Sequence, residues 1–212
     1  MGREFDELFD EWAVSYDDTV IGNDIEYREV FLHYEHILNQ VANKASGTVL
    51  EFGVGTGNLT KVLLKKGLHV IGIEPSKEMR AIAKQKMPHL ELYDGDFLSF
   101  PTFATPISTI VSTYAFHHLT DNEKEEAIKN FENLLERNRK IIFADTIFES
   151  IEVKKNRIEE AKLNGFSRLQ KDLETEYYTT IPVLRKIFER HRFHVRFTQM
   201  NQFVWIIEAE KQ

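Results

Sequence analysis

The chain has 212 residues, 42% of them hydrophobic, with a formal charge of −7 and no cysteine. That length makes one domain with a substantial core, and the missing thiol removes disulfides, zinc ribbons, iron–sulfur clusters and every thiolate mechanism. The acidic balance argues against a nucleic-acid partner. No window approaches the roughly 18 apolar residues of a membrane span and the start is too acidic for a leader, so the expected location is the cytoplasm.

Phe5, Leu8, Phe9, Trp12, Ala13 and Tyr16 recur at helical spacing, and Tyr27, Val30, Phe31, Tyr34, Leu38 and Val41 do so again after a break at Gly22 and Asn23. Residues 1–45 therefore read as a helical cap. From residue 48 short apolar runs alternate with helical patterns. TVLEF (48–52) precedes a helix over about 57–66, and HVIGI (69–73) precedes a helix with Met79, Ile82 and Ala83 on one face. LELY (90–93) leads into a loop, TIVS (109–112) precedes a long helix over 121–137, and KIIFAD (140–145) follows. Strands apolar throughout, each followed by a helix, imply a parallel sheet covered on both faces, the doubly wound α/β arrangement. Residues 146–180 carry no clear strand and read as an insertion or lid. Lys154, Lys155, Arg157 and Lys162 within it alternate with acids and read as a solvated helix face. A helix around Ile181, Leu184, Ile187 and Phe188 then leads to FHVRFT (193–198) and QFVWIIEA (202–209). The connection between these two is too short for a parallel crossover, so the last strand must run antiparallel.

The run VLEFGVGTG (49–57) places Gly53, Gly55 and Gly57 where a strand must turn into a helix. Glycine there lets a ligand reach the main chain. The dinucleotide fingerprint fails because Asn58 stands where its third glycine belongs, and there is no P-loop lysine. Glu74 ends the second strand, where a carboxylate in this architecture accepts hydrogen bonds from ribose hydroxyls. Asp96 follows the third strand, suited to an exocyclic amine, with Phe97 offering an apolar face to a ring. Glu51 adds a carboxylate beneath the glycine turn. This set suits a ligand that is adenosine-like at one end and cationic at the other.

Together the three glycines with Glu51, Glu74, Asp96, the segment IVSTYAFHHL (110–119) and the antiparallel last strand resemble the class I S-adenosylmethionine-dependent methyltransferases. The whole chain is similar to a group of small bacillar methyltransferases whose methyl acceptor is open. The resemblance implies a single methyltransferase domain over 1–212 with a mostly parallel seven-stranded sheet. It further implies S-adenosyl-L-methionine as cofactor. Gly53 and Gly55 would hold the methionine moiety with Gly57 completing the turn, Glu74 the ribose, Asp96 and Phe97 the adenine, and Ser112 would lie near the sulfonium. Two positions depart from the pattern. Ser108 and Thr109 open the fourth strand where relatives usually have an Asp, and Arg137-Asn138-Arg139 replaces a frequent glycine pair.

His117 and His118 are candidate bases, because an unperturbed imidazole titrates near about 6.5. No metal site is expected from them, since adjacent residues seldom converge on one ion and no third ligand is evident. Trp12 and Tyr16 could close over the cofactor, and Tyr177 and Tyr178 could line an acceptor site. Pyrimidine C5 methylation through a covalent adduct is excluded for want of a cysteine. The Asn/Asp-Pro-Pro-aromatic loop of many amino-group methyltransferases is absent from Ser112-Thr113-Tyr114-Ala115. A small-molecule acceptor enclosed by residues 1–45 and 146–180 remains. The rival readings are a nicotinamide-dependent oxidoreductase and a non-catalytic S-adenosylmethionine- or S-adenosylhomocysteine-binding protein.

Overall fold

The computed structural model describes residue 10, residue 13 and residues 16 to 212. Phe5, Leu8, Phe9 and Trp12 of the expected first helix lie outside the described residues. Tyr16–Asp18 is a single helical turn that widens into a π-type turn at Thr19–Asn23. The first long helix is α1, Tyr34–Lys44. It starts later than the apolar spacing from Tyr27 suggests, because His33 takes a left-handed backbone (φ 66°) and ends the preceding turns.

β1 (Thr48–Phe52) leads to α2 (Asn58–Lys65), and β2 (His69–Ile73) to α3 (Lys77–Lys86). β3 (Glu91–Tyr93) runs into a loop, and β4 (Thr109–Thr113) into a 3-10 turn, Phe116–His118, and then α4 (Asp121–Leu134). Thr120 caps α4 reciprocally with Glu123, a capping box that fixes its start. β5 (Lys140–Thr146) is followed by α5 (Ile151–Leu163), α6 (Ser167–Thr175) and α7 (Ile181–Arg190). β6 (Phe193–Gln199) and β7 (Val204–Lys211) close the chain. The insertion that showed no strand is thus mainly the two helices α5 and α6.

The seven strands lie in the order β3-β2-β1-β4-β5-β7-β6. β1 to β5 pair in parallel, while β7 is antiparallel to both neighbours. Alternation along each strand divides the core. Val49, Val111, Ile142 and Ala144 face one side with Ile37, Val41, Leu59 and Leu63 of α1 and α2. Leu50, Phe52, Ile110 and Phe143 face the other with Phe131, Leu184 and Phe188 of α4 and α7. The turn before β5 lacks the glycines of the resemblance, yet Asn138 supplies the left-handed residue (φ 64°) that the turn needs.

β1 lies between β2 and β4, so the chain leaves it toward one side and β4 toward the other. That reversal opens a crevice at the carboxyl ends of the strands, the place where ligands bind in open α/β sheets.

Candidate active site

Two hollows open side by side at this edge. The smaller is a cleft of about 580 Å³ walled by Gly53, Gly55, Glu74, Asp96, Phe97 and the segment Thr113 to Ala115. The larger is a chamber of about 980 Å³ walled by the N-terminal segment, the His117-His118 turn and the α6 region. Tyr16, Tyr114 and His118 border both.

In the cleft, Gly53 has φ 66°, and a β-carbon there would stand 2.6 Å from Cβ of Ala115, so no other side chain fits. Gly55 faces open space. Its amide donates to Glu74 Oε2 at 2.8 Å, and the Ser76 amide donates to Oε1 at 2.9 Å. These bonds aim a buried carboxylate at the cleft. Asp96 Oδ1 accepts from the Leu98 and Ser99 amides (2.8 and 2.9 Å). Among the described residues no bond is recorded to its Oδ2. Three successive strand ends therefore bring a bare turn and two acids to one wall. Glu51 lies beneath, buried and bonded to Thr60 Oγ1 (2.7 Å). Burial foremost, then the Glu74 charge, pushes its carboxyl up to about 8, and the Thr60 bond opposes this only in part.

Two residues named from the sequence, Gly57 and Ser112, stand off the cleft wall, and a third, Phe97, shares its ring between the wall and the core. Gly57 does not border the cleft. It caps the start of α2 at φ 89°, and a β-carbon would meet Met87 Cε at 2.2 Å, so it lets the start of α2 pack against the end of α3. Ser112 pairs with Phe52 in the sheet and is buried below the lining, which is made instead by Thr113, Tyr114 and Ala115. Its hydroxyl has no hydrogen-bond partner among the described residues. Phe97 borders the cleft but stacks on Phe52 (centroids 5.1 Å, 16°) and meets Phe116 edge-on, so its ring is mainly core.

The chamber is aromatic and acidic. Tyr27, Phe31, Tyr114, Tyr178 and Phe203 line it, with Asp24, Asp172 and Glu176. Tyr178 stacks on the His117 ring at 4.7 Å, and Tyr177, the other half of that pair, does not border it. Tyr114 holds a left-handed backbone (φ 55°), rare for an aromatic residue. Phe31 and Tyr34 pack on its ring (5.0 and 5.6 Å), and its hydroxyl has no partner among the described residues.

The two histidines do not titrate as isolated imidazoles. Burial alone would lower His117, but the charges and hydrogen bonds of Asp145 and then Glu176 outweigh it and raise it to about 10. His118 is lowered to about 3, by burial and then by the neighbouring His117. The ordinary value that made them attractive as bases is thus absent in both.

Asp145, Glu176 and Tyr114 escaped the sequence reading. Asp145 had a usable signal, an acid ending the apolar strand KIIFAD, the same logic that singled out Glu74. Glu176 had none.

Residues 49–138 match the family described as methyltransferase domain. The chain is 56% identical to an uncharacterized methyltransferase of Oceanobacillus iheyensis, over all of this chain and 99% of that protein. It is 59% identical to another of Bacillus cytotoxicus, over the full length of both. Its fold is similar to the magnesium protoporphyrin IX methyltransferase of Synechocystis solved with bound SAH (TM-score 0.73, 16% identity, 98% of each chain). It also resembles a possible histamine N-methyltransferase of Thermotoga maritima (TM-score 0.70, 16% identity, 99% of this chain and all of that one).

Proposed function

This chain belongs to the class I S-adenosylmethionine-dependent methyltransferases, and from that premise we propose that the smaller cleft takes the cofactor and the larger chamber a small-molecule methyl acceptor. The observation that carries the reading is the convergence of Gly53, Gly55, Glu74 and Asp96 on one wall.

The cleft's residues suit the cofactor's parts. The bare backbone at Gly53 and Gly55 admits the methionine portion, Glu74 accepts from the ribose hydroxyls, and Asp96 Oδ2 accepts from the adenine amine. Phe97 adds an apolar edge, while Ser112 and Gly57 act behind this surface. A negative wall favours a sulfonium over a pyrophosphate, against the nicotinamide alternative.

When bound, S-adenosylmethionine supplies a methyl group already activated for displacement. The protein's share is then alignment and exclusion of water, where well-oriented reactants gain roughly 7–11 kcal/mol. Tyr16, Tyr114 and His118 stand on the border of both hollows, where a methyl group would pass. The left-handed Tyr114 fixes that border rigidly, because its ring is held by Phe31 and Tyr34. Residues 16–31 and 146–178 close the chamber around the acceptor. Among the described residues no helix is long and apolar enough to cross a membrane. The reading places the enzyme in the cytoplasm acting on a dissolved small molecule rather than on nucleic acid.

Calorimetry with S-adenosylhomocysteine tests the cofactor half. Glu74→Ala is expected to weaken binding by about 1–3 kcal/mol, the cost of losing a charged hydrogen-bond partner. An unchanged dissociation constant overturns the placement. Turnover of a labelled methyl donor in an acceptor screen then tests catalysis against the binding-protein alternative.

A further inference from the structure

The larger chamber holds a group of donors that methyl transfer from a sulfonium does not call for. His117, His118 and Glu176 each offer one ligand atom, and these atoms lie within 4.8 Å of one another. All three residues are buried, and all three line the chamber. We propose that they form a binding site for a divalent transition-metal ion in the chamber wall.

The geometry supports it in three ways. His117 Nδ1 is tied to Asp145 Oδ1 at 2.5 Å, which leaves Nε2 directed at Glu176 Oε2, 3.4 Å away. Two ligand atoms about 2.0–2.2 Å from a common ion at a tetrahedral angle stand about 3.4 Å apart, so the pair is already spaced for coordination. Asp145 is itself fixed, since Oδ2 accepts from the His117 amide (3.1 Å) and Oδ1 from the Thr146 amide (2.7 Å). A carboxylate behind a ligating imidazole is the usual means of setting its tautomer and orientation. Finally, two buried carboxylates, Asp145 and Glu176, face one imidazole ring, so even a charged ring leaves one negative charge over, and an ion held by Nε2 would take the place of the ring proton between His117 and Glu176.

The chain supplies this set through tertiary folding. The 3-10 turn after β4 bends the two rings together (centroids 4.0 Å). Asp145 stands near the end of the neighbouring β5, and Glu176 follows directly on α6, whose docking returns the insertion to the strand ends. Adjacent histidines alone make a poor site, but Glu176 is the third donor that the sequence did not reveal. Two imidazoles with one carboxylate favour zinc, iron(II) or cobalt(II) over magnesium, which prefers all-oxygen ligands. Three protein ligands leave coordination positions open toward the chamber, available to an oxygen, nitrogen or sulfur of a bound molecule.

The site stands independently of the cofactor assignment, and its test keeps the two apart. The full chain is stripped with a chelator, titrated with zinc and magnesium chlorides by calorimetry, and titrated with cobalt(II) chloride by visible absorption. S-adenosylhomocysteine affinity is measured on the same samples. One equivalent of zinc and the intense visible bands of cobalt in a low-coordinate nitrogen–oxygen site are expected, with no magnesium uptake. His118→Gln and Glu176→Gln should each weaken zinc at least tenfold, and Asp145→Asn by about 10- to 100-fold. Absence of stoichiometric uptake by the folded parent chain, or equal affinity in the ligand variants, overturns the site. If a variant fails to fold, the cobalt spectrum of the parent decides, the weak spectrum of the hydrated ion counting against the proposal.

Discussion

The two hollows are built on opposite plans. The cleft is made at strand ends: its glycine turn, Glu74 and Asp96 are each fixed by main-chain amides and by strands paired in register. The chamber is made of long side chains from helices and turns that meet only by docking. Tyr27 hydrogen-bonds Asp172, and Arg168 reaches Asp24 and Glu26, in each case across more than 140 residues of chain. A wall built from the backbone keeps one shape for one ligand, whereas a wall built from side chains can be repacked for different ones. This contrast fits a fold whose cofactor stays constant while the acceptor varies.

The largest test of that contrast concerns the floor of the cleft. Glu51 is fully buried, with its carboxyl raised to about 8 from an ordinary 4.5. Between those values the folded chain holds a proton that the unfolded chain has released. The stabilising contribution is therefore whole below about 4.5, falls as pH rises through the window, and is gone above about 8. At 1.36 kcal/mol per unit the fall is on the order of 5 kcal/mol. Glu51→Gln should remove it, so denaturant melts of parent and variant diverge toward alkaline pH, the variant being the more stable. Parallel pH profiles would show that Glu51 titrates normally and that the floor is wet. Next in size is Gly53→Ala. A left-handed alanine costs about 1–2 kcal/mol, before any movement forced by the 2.6 Å approach to Ala115. Both the melting midpoint and the S-adenosylhomocysteine affinity should fall. If affinity holds while stability drops, the glycine serves the turn alone and the cofactor does not lie against it.

The same contrast decides what was legible in the sequence. The parallel sheet, the antiparallel last strand and the acids of the cleft depend on local patterns: an apolar run, a glycine turn, and a carboxylate where each strand stops. Residues shifted by one position were harder, because alternation along a strand decides which layer a side chain joins. Ser112 lies under the lining while Thr113 is part of it, and Gly57 turns toward Met87 rather than the cleft. The chamber left almost no trace. Tyr27, Val30 and Phe31 keep helical spacing but sit in turns, where they pack around Tyr114 and the chamber. Nothing near residue 176 signals that its carboxylate meets an imidazole presented by the 3-10 turn after β4, since that contact is set by how α5 and α6 dock.

The smallest effect should come from the latch of the chamber. Arg168 holds Asp24 through two bonds (2.7 and 2.9 Å) and Glu26 through a third (3.0 Å). This joins the N-terminal segment to the start of α6. The guanidinium is more than half exposed, so solvent and salt screen these pairs, and Arg168→Ala should cost no more than about 1 kcal/mol of stability. Glu26 also accepts from the Arg168 and Leu169 amides (2.8 and 3.2 Å), and the variant keeps that cap on the helix start. The expected signature is local. Amide exchange should quicken over residues 24–31, more so in high salt in the parent chain, while the S-adenosylhomocysteine dissociation constant stays unchanged. A shift in that constant of threefold or more would mean that the latch is felt across Tyr16, Tyr114 and His118, the residues that line both walls. The two hollows would then act as one site whose cofactor affinity depends on chamber closure, and the division drawn between backbone and side-chain walls would fail at their border.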